Sequence, residues 1–444
     1  MSIQVADKPT QDSIKSTVES SQTTLGTVKN TTDTVKTTTD TINGKADSIL
    51  AELKGQRPKR YGFRVKESEA DSSARVEYLF DAVGLTPAHM DFDNGSFNYG
   101  SWADAWFVRN NKPYMVKSSG VVDYMLDPND YTKNGVTGAA SDVANTSYDG
   151  NAMSAIPLCW VKRYKENGYR YVIFCEEQYD ESYHAYAHTR PNGSISPFAY
   201  FPMFEGSTVS TKLRSLSGQA PMNTQTASTE LTQAEANGAA WTILPWMAWE
   251  LVMDLCTLIG KSTNHKAVFG QGHTTGGSSA ADLHTTGALK DKGQFYGTSD
   301  GATGDVKVFH IENVMWGDRW ERIIGMLYIN GVYNAKPTPE GSGWNFTGSG
   351  YSAVCEGVHA AAAGGGWFKG GMETEFGLFP NDAGGADGYY DAAYHYYNPG
   401  IVSVPLVGGC CYNGSVCGRS VNVSGAASDA YWSFGASLFL KNPS

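Results

Sequence analysis

Three cysteines near the C-terminus, Cys410, Cys411 and Cys417, come nearest in type and spacing to a reactive centre. Paired thiolates bind soft ions such as Cu(I), but these three form no C-x-x-C zinc pair. His184 and His188 in YHAYAH stand i, i+4, which on a helix would aim both imidazoles at one metal ion. The aromatic alternation around them predicts a strand instead, and no third ligand is apparent. Residues 91–95, DFDNG, approach the start of a calcium loop, but the Gly comes one position early and the twelfth position is Trp102 rather than Glu. An ordinary turn is expected there. Residues 270–276, GQGHTTG, have one residue too many for a dinucleotide fingerprint and follow a helix rather than a strand, so a flexible loop is expected. G-x-S-x-G, HExxH and Walker patterns are absent from the sequence. The expectation is a protein that is not an enzyme, with no catalytic residue, no metal site and no cofactor.

Composition narrows the class further. Of 444 residues, 41% are hydrophobic and 18% charged, enough apolar material for a sizeable core and too much for a disordered chain. Thirty-four Lys and Arg against 45 Asp and Glu give a net charge of -11, which argues against nucleic acid or anionic lipid as a partner. Fifty Gly, 25 Tyr and 11 Trp suit a loop-rich, aromatic-packed body. Seven Cys, an odd number without a disulfide framework, read mostly as buried thilos of a protein folded in a reducing cytosol. The first residues carry no apolar run and no stretch is long enough to span a bilayer, so neither a cleaved signal nor membrane insertion is expected.

The elements that must position any site begin with a seven-residue repeat. Positions 14, 21, 28, 35, 42 and 49 read Ile, Ser, Val, Val, Ile, Ile, and positions 18, 25, 32, 39, 46 and 53 read Val, Leu, Thr, Thr, Ala, Leu. Nine of these twelve positions are apolar, the pattern of a coiled coil. Thr is a weak helix former, so such a helix must gain stability by association. Residues 1–55 are therefore expected to form an oligomerising stalk, with β-branched seams favouring a homotrimer. After the basic hinge GQRPKR at 55–60, runs such as RYGFRV, KPYMVK and YRYVIFCEEQY alternate between Gly, Asn, Pro and Asp turns and predict strands and hairpins. One amphipathic helix is predicted over 245–260, with Pro245 at its first turn, Trp249, Met253, Cys256 and Leu258 or Ile259 inward, and Gly260 at its end. The fold class is α+β.

The C-terminus is the informative region. GYYDAAYHYYN at 388–398 holds five Tyr in eleven residues, and a Gly, Ser, Asn, Cys and Tyr-rich stretch leads on to DAYWSFGASLFLK. Tyr offers contact area at little rotamer cost while Ser, Gly and Asn supply adaptable hydrogen bonds, so this is the composition of a recognition surface. A wet, Tyr-packed β-core would give the same composition.

Three segments together resemble the C-type lectin variant found in formylglycine-generating enzymes and in the variable proteins of diversity-generating retroelements. GAAWTILPWMAWE at 238–250 is similar to that family's Gly, Leu-Pro, Glu-Trp-Glu helix start through Gly238, Leu244, Pro245, Trp249 and Glu250. ENVMWGDRWERIIG at 312–325 is similar to its Gly-Asn-Val-Trp-Glu-Trp segment through Trp316, Gly317, Trp320 and Glu321. VPLVGGCCYNGSVCGRS at 404–420, with YWSFGASLFL beyond it, is similar to its closing strands through Gly408, Gly409, Gly435 and Leu438; the family's terminal Arg is missing. Upstream, ARVEYLFDAVGLTPA at 74–88, LDPNDY at 126–131 and LRSLSGQAP at 213–221 resemble tail proteins of bacteriophages that infect gut bacteria.

The resemblance spans roughly residues 60–444 and implies a stalk (1–55), a β-rich tail or shaft domain (56–225) and a C-type lectin-like ligand-binding domain (226–444) with a variable region near 385–435. It implies a tail fibre or tail-tip protein of the virion, made in the host cytoplasm, that attaches to a bacterial surface receptor, protein or glycan, alongside other tail proteins. Tyr389, Tyr390, Tyr394, Tyr396, Tyr412, Val416, Arg419, Asp429, Tyr431 and Trp432 would sit at or near the diversified, receptor-contacting positions. Two alternatives stay open: a structural tail component that touches no host receptor, and a copper-dependent oxidase of the formylglycine-generating type. Against the oxidase, that family spaces its cysteines C-x4-C, whereas Cys410 and Cys417 are C-x6-C and Cys411 and Cys417 are C-x5-C.

Overall fold

The structure is a computed structural model that describes residues 8–341, 343–358 and 363–444, with the backbone alone over 47–56. The chain divides into two units, Met1–Pro58 and Lys59–Ser444.

The first unit is built on one helix, α1 (Lys8–Gln56). At about 1.5 Å per residue its 49 residues run roughly 74 Å. Its Ser and Thr hydroxyls bend back onto carbonyls one turn earlier, Thr17 on Ser13, Ser21 on Thr17 and Thr39 on Val35 among them, which satisfies them within the helix. Ile14, Val18, Leu25, Val28, Val35 and Ile42 form an exposed apolar row, from 48% to 74% accessible. The seam positions Ile49 and Leu53 lie outside the described side chains. Among the described residues no helix is long and apolar enough to cross a membrane.

The second unit is α+β, as expected, with four further α-helices among the described residues: α2 (Trp106–Arg109), α3 (Ala227–Glu235), α4 (Trp246–Gly260) and α5 (His265–Phe269). RYGFRV and YRYVIFC form the strands Arg60–Lys66 and Tyr169–Cys175, paired antiparallel at the centre of a four-stranded sheet. KPYMVK forms Lys112–Lys117 in a seven-stranded sheet of order Trp241–Ile243, Leu438–Leu440, Phe198–Pro202, Gly150–Pro157, Lys112–Lys117, Val122–Asp127, Asp130–Asn134. This order corrects the expected boundary at residue 225. Strands from both sides of it hydrogen-bond in one sheet, and the largest apolar cluster among the described residues runs from Tyr61 to Phe439, so residues 56–225 and 226–444 share their main core.

Helix α4 occupies the middle of that core, with all fifteen residues buried. Pro245 caps its start without needing an N–H, and Lys261, at φ 48°, turns the chain left-handed at its end. The inward set Trp249, Met253, Cys256, Leu258 and Ile259 is buried, but so is the opposite face with Glu250 and Asp254. Trp102, Trp241, Trp246, Trp249, Trp316 and Trp320 are fully buried, each contributing roughly 4–6 kcal/mol of gross transfer free energy. Several of their indole N–H groups reach backbone carbonyls: Trp241 donates to Ser118, Trp249 to Met315 and Trp316 to Gly270.

Candidate functional site

The C-terminal aromatic segments are carried by a six-stranded sheet of order Gly364–Trp367, Tyr394–Tyr397, Val421–Val423, Leu406–Val407, Trp320–Arg322, Phe434–Gly435. Tyr394 and Tyr396 lie on one face of their strand with ring centroids 4.7 Å apart, and Tyr394 meets Trp367 edge-on at 5.4 Å. Tyr396 packs on a small cluster of Trp320, Leu406, Cys410 and Phe434. Across that cluster Tyr431 stands edge-on to Phe434 at 5.0 Å, and Tyr412 and Trp432 pair at 5.4 Å. The Tyr412 hydroxyl lies 3.2 Å from Ser433 Oγ. Tyr412 and Tyr431 stay 49% and 56% exposed, so much of each ring is open to solvent. Five of the expected positions thus gather around this buried cluster, Tyr394 with Tyr396 and Tyr412 with Tyr431 and Trp432.

The other five are placed differently. Tyr389 is exposed, but Tyr390 turns to the 70–75 segment, where its N–H donates to the Ala70 carbonyl and its ring faces Arg75 at 5.3 Å. Val416 ends a short 3-10 turn over Gly414–Val416 and is half-buried. Asp429 is a turn residue: its carboxylate accepts from Ala426 N–H at 3.0 Å and its carbonyl accepts from Arg322 at 2.9 Å. Arg419 is a correction. Its side chain is 8% exposed and points into the molecule, where Nη2 meets Glu250 at 2.6 Å and Nη1 meets Asp254 at 2.8 Å.

That ion pair belongs to a chain of alternating charges beneath the sheet. Asp254 also takes Arg163 at 2.8 Å; Glu373 sits between Arg163 (4.0 Å) and Arg170 (3.9 Å); Asp391 takes Arg170 at 2.6 Å and Arg75 at 3.6 Å. Four guanidiniums and four carboxyls therefore alternate out of water, and burial raises Glu250 and pushes the Glu373 carboxyl up to about 8. Burial opposes the charge on Arg419, but Glu250 and Asp254 outweigh it and hold the guanidinium above its ordinary range. Burial likewise opposes ionisation of Asp254, and Arg419 and Arg163 overcome it and draw its carboxyl below the usual value. Buried pairs of this kind specify geometry more than they stabilise, because desolvation consumes most of the attraction. Asp391 and Arg419 are thus the fixed points from which the Tyr-rich and Cys-rich loops are displayed.

The near misses of the sequence resolve locally. DFDNG is the turn of a hairpin, His89–Asp91 with Ser96–Asn98, and the Asp91 carboxylate accepts from Asn94 rather than facing other acids. His184 bridges to Val161 and contacts Glu375 at 2.9 Å, while His188 is buried and accepts from Cys159 N–H at 3.3 Å, so the two imidazoles do not converge. All seven cysteines are free, Cys355 half-buried and the others buried. Burial pushes the thiols of Cys410, Cys411 and Cys417 up to about 12, which disfavours the thiolates a soft metal needs.

What sequence reasoning missed lies in GQGHTTG. This loop holds His273, buried and bonded to Asp318, and the following segment brings His284 against it; the three form a cluster able to ligate a metal ion. No spacing rule links two histidines of one loop to an aspartate on a separate segment. Trp367 beside Tyr394, and Phe434 buried beneath Tyr431, carried no such signal.

Fold and site together define an α+β protein that displays an aromatic face on a sheet pinned by buried ion pairs. No protein-family model matches the chain, and no curated protein matches it.

Proposed function

We propose that this protein is a bacteriophage receptor-binding protein, a tail fibre or tail-tip adhesin of the virion, that attaches to a bacterial surface protein or glycan through the face of Tyr394, Tyr396, Tyr412, Tyr431 and Trp432. The observation that carries the reading is the exposure of Tyr412 and Tyr431 beside Trp432, directly above buried Phe434 and Cys410. A contiguous exposed aromatic patch marks recognition, and Tyr and Trp are the residues that dominate binding energy at such surfaces. A C-type lectin-like arrangement of the C-terminal part and diversification of exposed side chains near 385–435 belong to the same proposal, with Asp391 and Arg419 of that stretch kept constant because they are held in the buried ion pairs. The apolar row of α1 supports joining of copies, as a trimeric coiled coil, and three faces on one stalk gain affinity by avidity. Binding needs no bond chemistry, and the proposed role is not enzymatic.

The test is adsorption of the full-length protein to panels of intact bacteria, compared with Tyr412→Ala, Tyr431→Ala and Trp432→Ala variants. Strain-specific adsorption that falls at least about tenfold in each variant, with unchanged melting, is the expected result. Adsorption equal in all four proteins removes this face as the receptor site, and no adsorption to any strain removes the receptor-binding role.

A further inference from the structure

We propose that His273, His284 and Asp318 bind one divalent transition-metal ion of the zinc class, which braces the loop that carries Tyr412. One ring nitrogen of each histidine and a carboxylate oxygen of Asp318 lie within 4.8 Å of one another. The two imidazoles stack with centroids 3.8 Å apart and planes 7° from parallel, so one ring must turn out of the stack for both in-plane lone pairs to meet on an ion. His273 Nδ1 lies 2.6 Å from Asp318 Oδ1, and His284 Nδ1 lies 2.8 Å from Asp305 Oδ1. At His284 the Asp305 carboxylate on Nδ1 fixes the tautomer and leaves Nε2 for the ion, which is how metal-ligating histidines are usually supported, while at His273 the ion takes the place of the hydrogen bond to Asp318.

The charge around the cluster is unbalanced, and this is the second, independent observation. Asp318 is fully buried, and its Oδ2 receives no N–H or hydroxyl, with the Glu205 carboxyl set against the Asp318 side chain. The Glu205 carboxyl lies against Asp318, is itself buried, and has an Oε1 atom with no hydrogen bond, only Arg319 Nε at 3.3 Å. Arg319 is shared with a further buried carboxyl, Glu321, 3.6 Å from Nη2. Buried carboxylate oxygens without partners are costly, and a divalent cation supplies the missing positive charge while taking the free oxygen lone pair.

Two nitrogens and an oxygen select a borderline ion over calcium or magnesium, which prefer all-oxygen shells. Zinc holds such donors at about 2.1 Å, hence about 3.4 Å from each other in a tetrahedron, so binding opens the 2.6 Å contact of His273 with Asp318 and brings His284 toward the pair. His284, 27% exposed, gives the ion a route in and leaves room for water as a fourth ligand.

The location gives the ion its role. Cys411 N–H donates to the Asp318 carbonyl at 2.8 Å, Gly277 N–H to the Cys411 carbonyl at 2.9 Å, and Gly414 N–H to the Thr274 carbonyl at 2.7 Å. The loop with the two histidines is therefore hydrogen-bonded along the underside of the loop with Tyr412. An ion joining His273 and His284 to Asp318 ties both loops to the strand Trp320–Arg322 that follows.

The experiment is zinc loading of the full-length protein, dialysis, and measurement of bound metal and thermal unfolding, in parallel with His284→Ala and Asp318→Asn. Because His284 is partly exposed, the H284A protein keeps its fold, which far-ultraviolet circular dichroism checks without metal. Expected are about one zinc per chain, a higher melting temperature with zinc than with chelator, and zinc affinity lower by about tenfold or more in H284A. Cobalt(II) substitution in the parent should give the visible absorption of a four-coordinate ion, and H284A should lose it. Zinc below roughly one ion per ten chains overturns the proposal, and so does equal zinc in parent and H284A, which would place the ion on other residues.

Discussion

Arg419 Nη2 lies 2.6 Å from Glu250 Oε2, joining the C-terminal loop to the central helix through a contact shut off from solvent. The same guanidinium takes Asp254, so one side chain neutralises two carboxylates of adjacent turns of α4. Replacing it with Met leaves both acids buried beside Arg163 alone. Arg419→Met is expected to lower stability by about 3–5 kcal/mol, read as a fall in the denaturant midpoint. A change below about 1 kcal/mol would mean that Arg419 faces solvent and belongs with the exposed tyrosines.

Exposure predicts the reverse for the aromatic face. Tyr431→Ser and Trp432→Ser remove rings that touch Phe434 and Tyr412 only at their edges or at a tilt. Each is expected to shift stability by no more than about 1 kcal/mol in calorimetry. A loss of 3 kcal/mol or more, by contrast, is about the cost of truncating a core aromatic and would make these rings part of the core.

Gly409 has φ 86°, and a Cβ there would lie 2.6 Å from Cys417 Sγ and 2.8 Å from its Cα. Gly84 has the same φ with no atom within 4 Å of its Cβ position, so it isolates the backbone cost. Gly84→Ala is expected to cost about 1–2 kcal/mol from the left-handed backbone, and Gly409→Ala clearly more. Equal melting temperatures for the two variants would show that the loop at 409–417 yields freely.

Among the described residues four buried histidines held below their ordinary range, His188, His265, His310 and His395, contribute to the acid limb of the stability curve. Burial lowers His188, His265 and His395 from about 6.5 to about 3. Above pH 6.5 each is neutral whether folded or unfolded and contributes no pH dependence. Between pH 6.5 and about 3 the unfolded chain takes up protons that the folded chain refuses, so stability falls with pH by about 1.4 kcal/mol per unit for each histidine. His395, bonded to the Tyr333 hydroxyl at 2.8 Å, is the simplest to replace. His395→Gln should flatten the slope of unfolding free energy between pH 6 and 4 by about that amount; parallel curves would show that His395 is protonated in the folded state.

The exposed row on α1 makes a prediction about mass. Val28 and Val35 are 57% and 59% accessible, so replacing both with Asn leaves the helix without strain of its own. Light scattering of V28N/V35N is expected to fall from the mass of three chains toward that of one. An unchanged mass would show that copies do not meet along this row.

The sequence by itself determined what repeats locally. Alternating runs became the strands Arg60–Lys66, Lys112–Lys117 and Tyr169–Cys175, and Pro245 with Gly260 bounded the central helix, because each of these signals is complete within one element. Heptad spacing likewise set an apolar row along α1, and turn-bounded tyrosines reached the surface at Tyr412 and Tyr431. The tertiary structure alone decided direction and convergence. Arg419 reads as a loop charge until Asp254 and Glu250, 165 and 169 residues earlier, are seen to wait for it. His273, His284 and Asp318 meet only because the path of one long loop folds back under another. No local periodicity carries such information: the free energy that places these groups comes from burying charges against partners remote in the chain, and is settled only when the whole core closes.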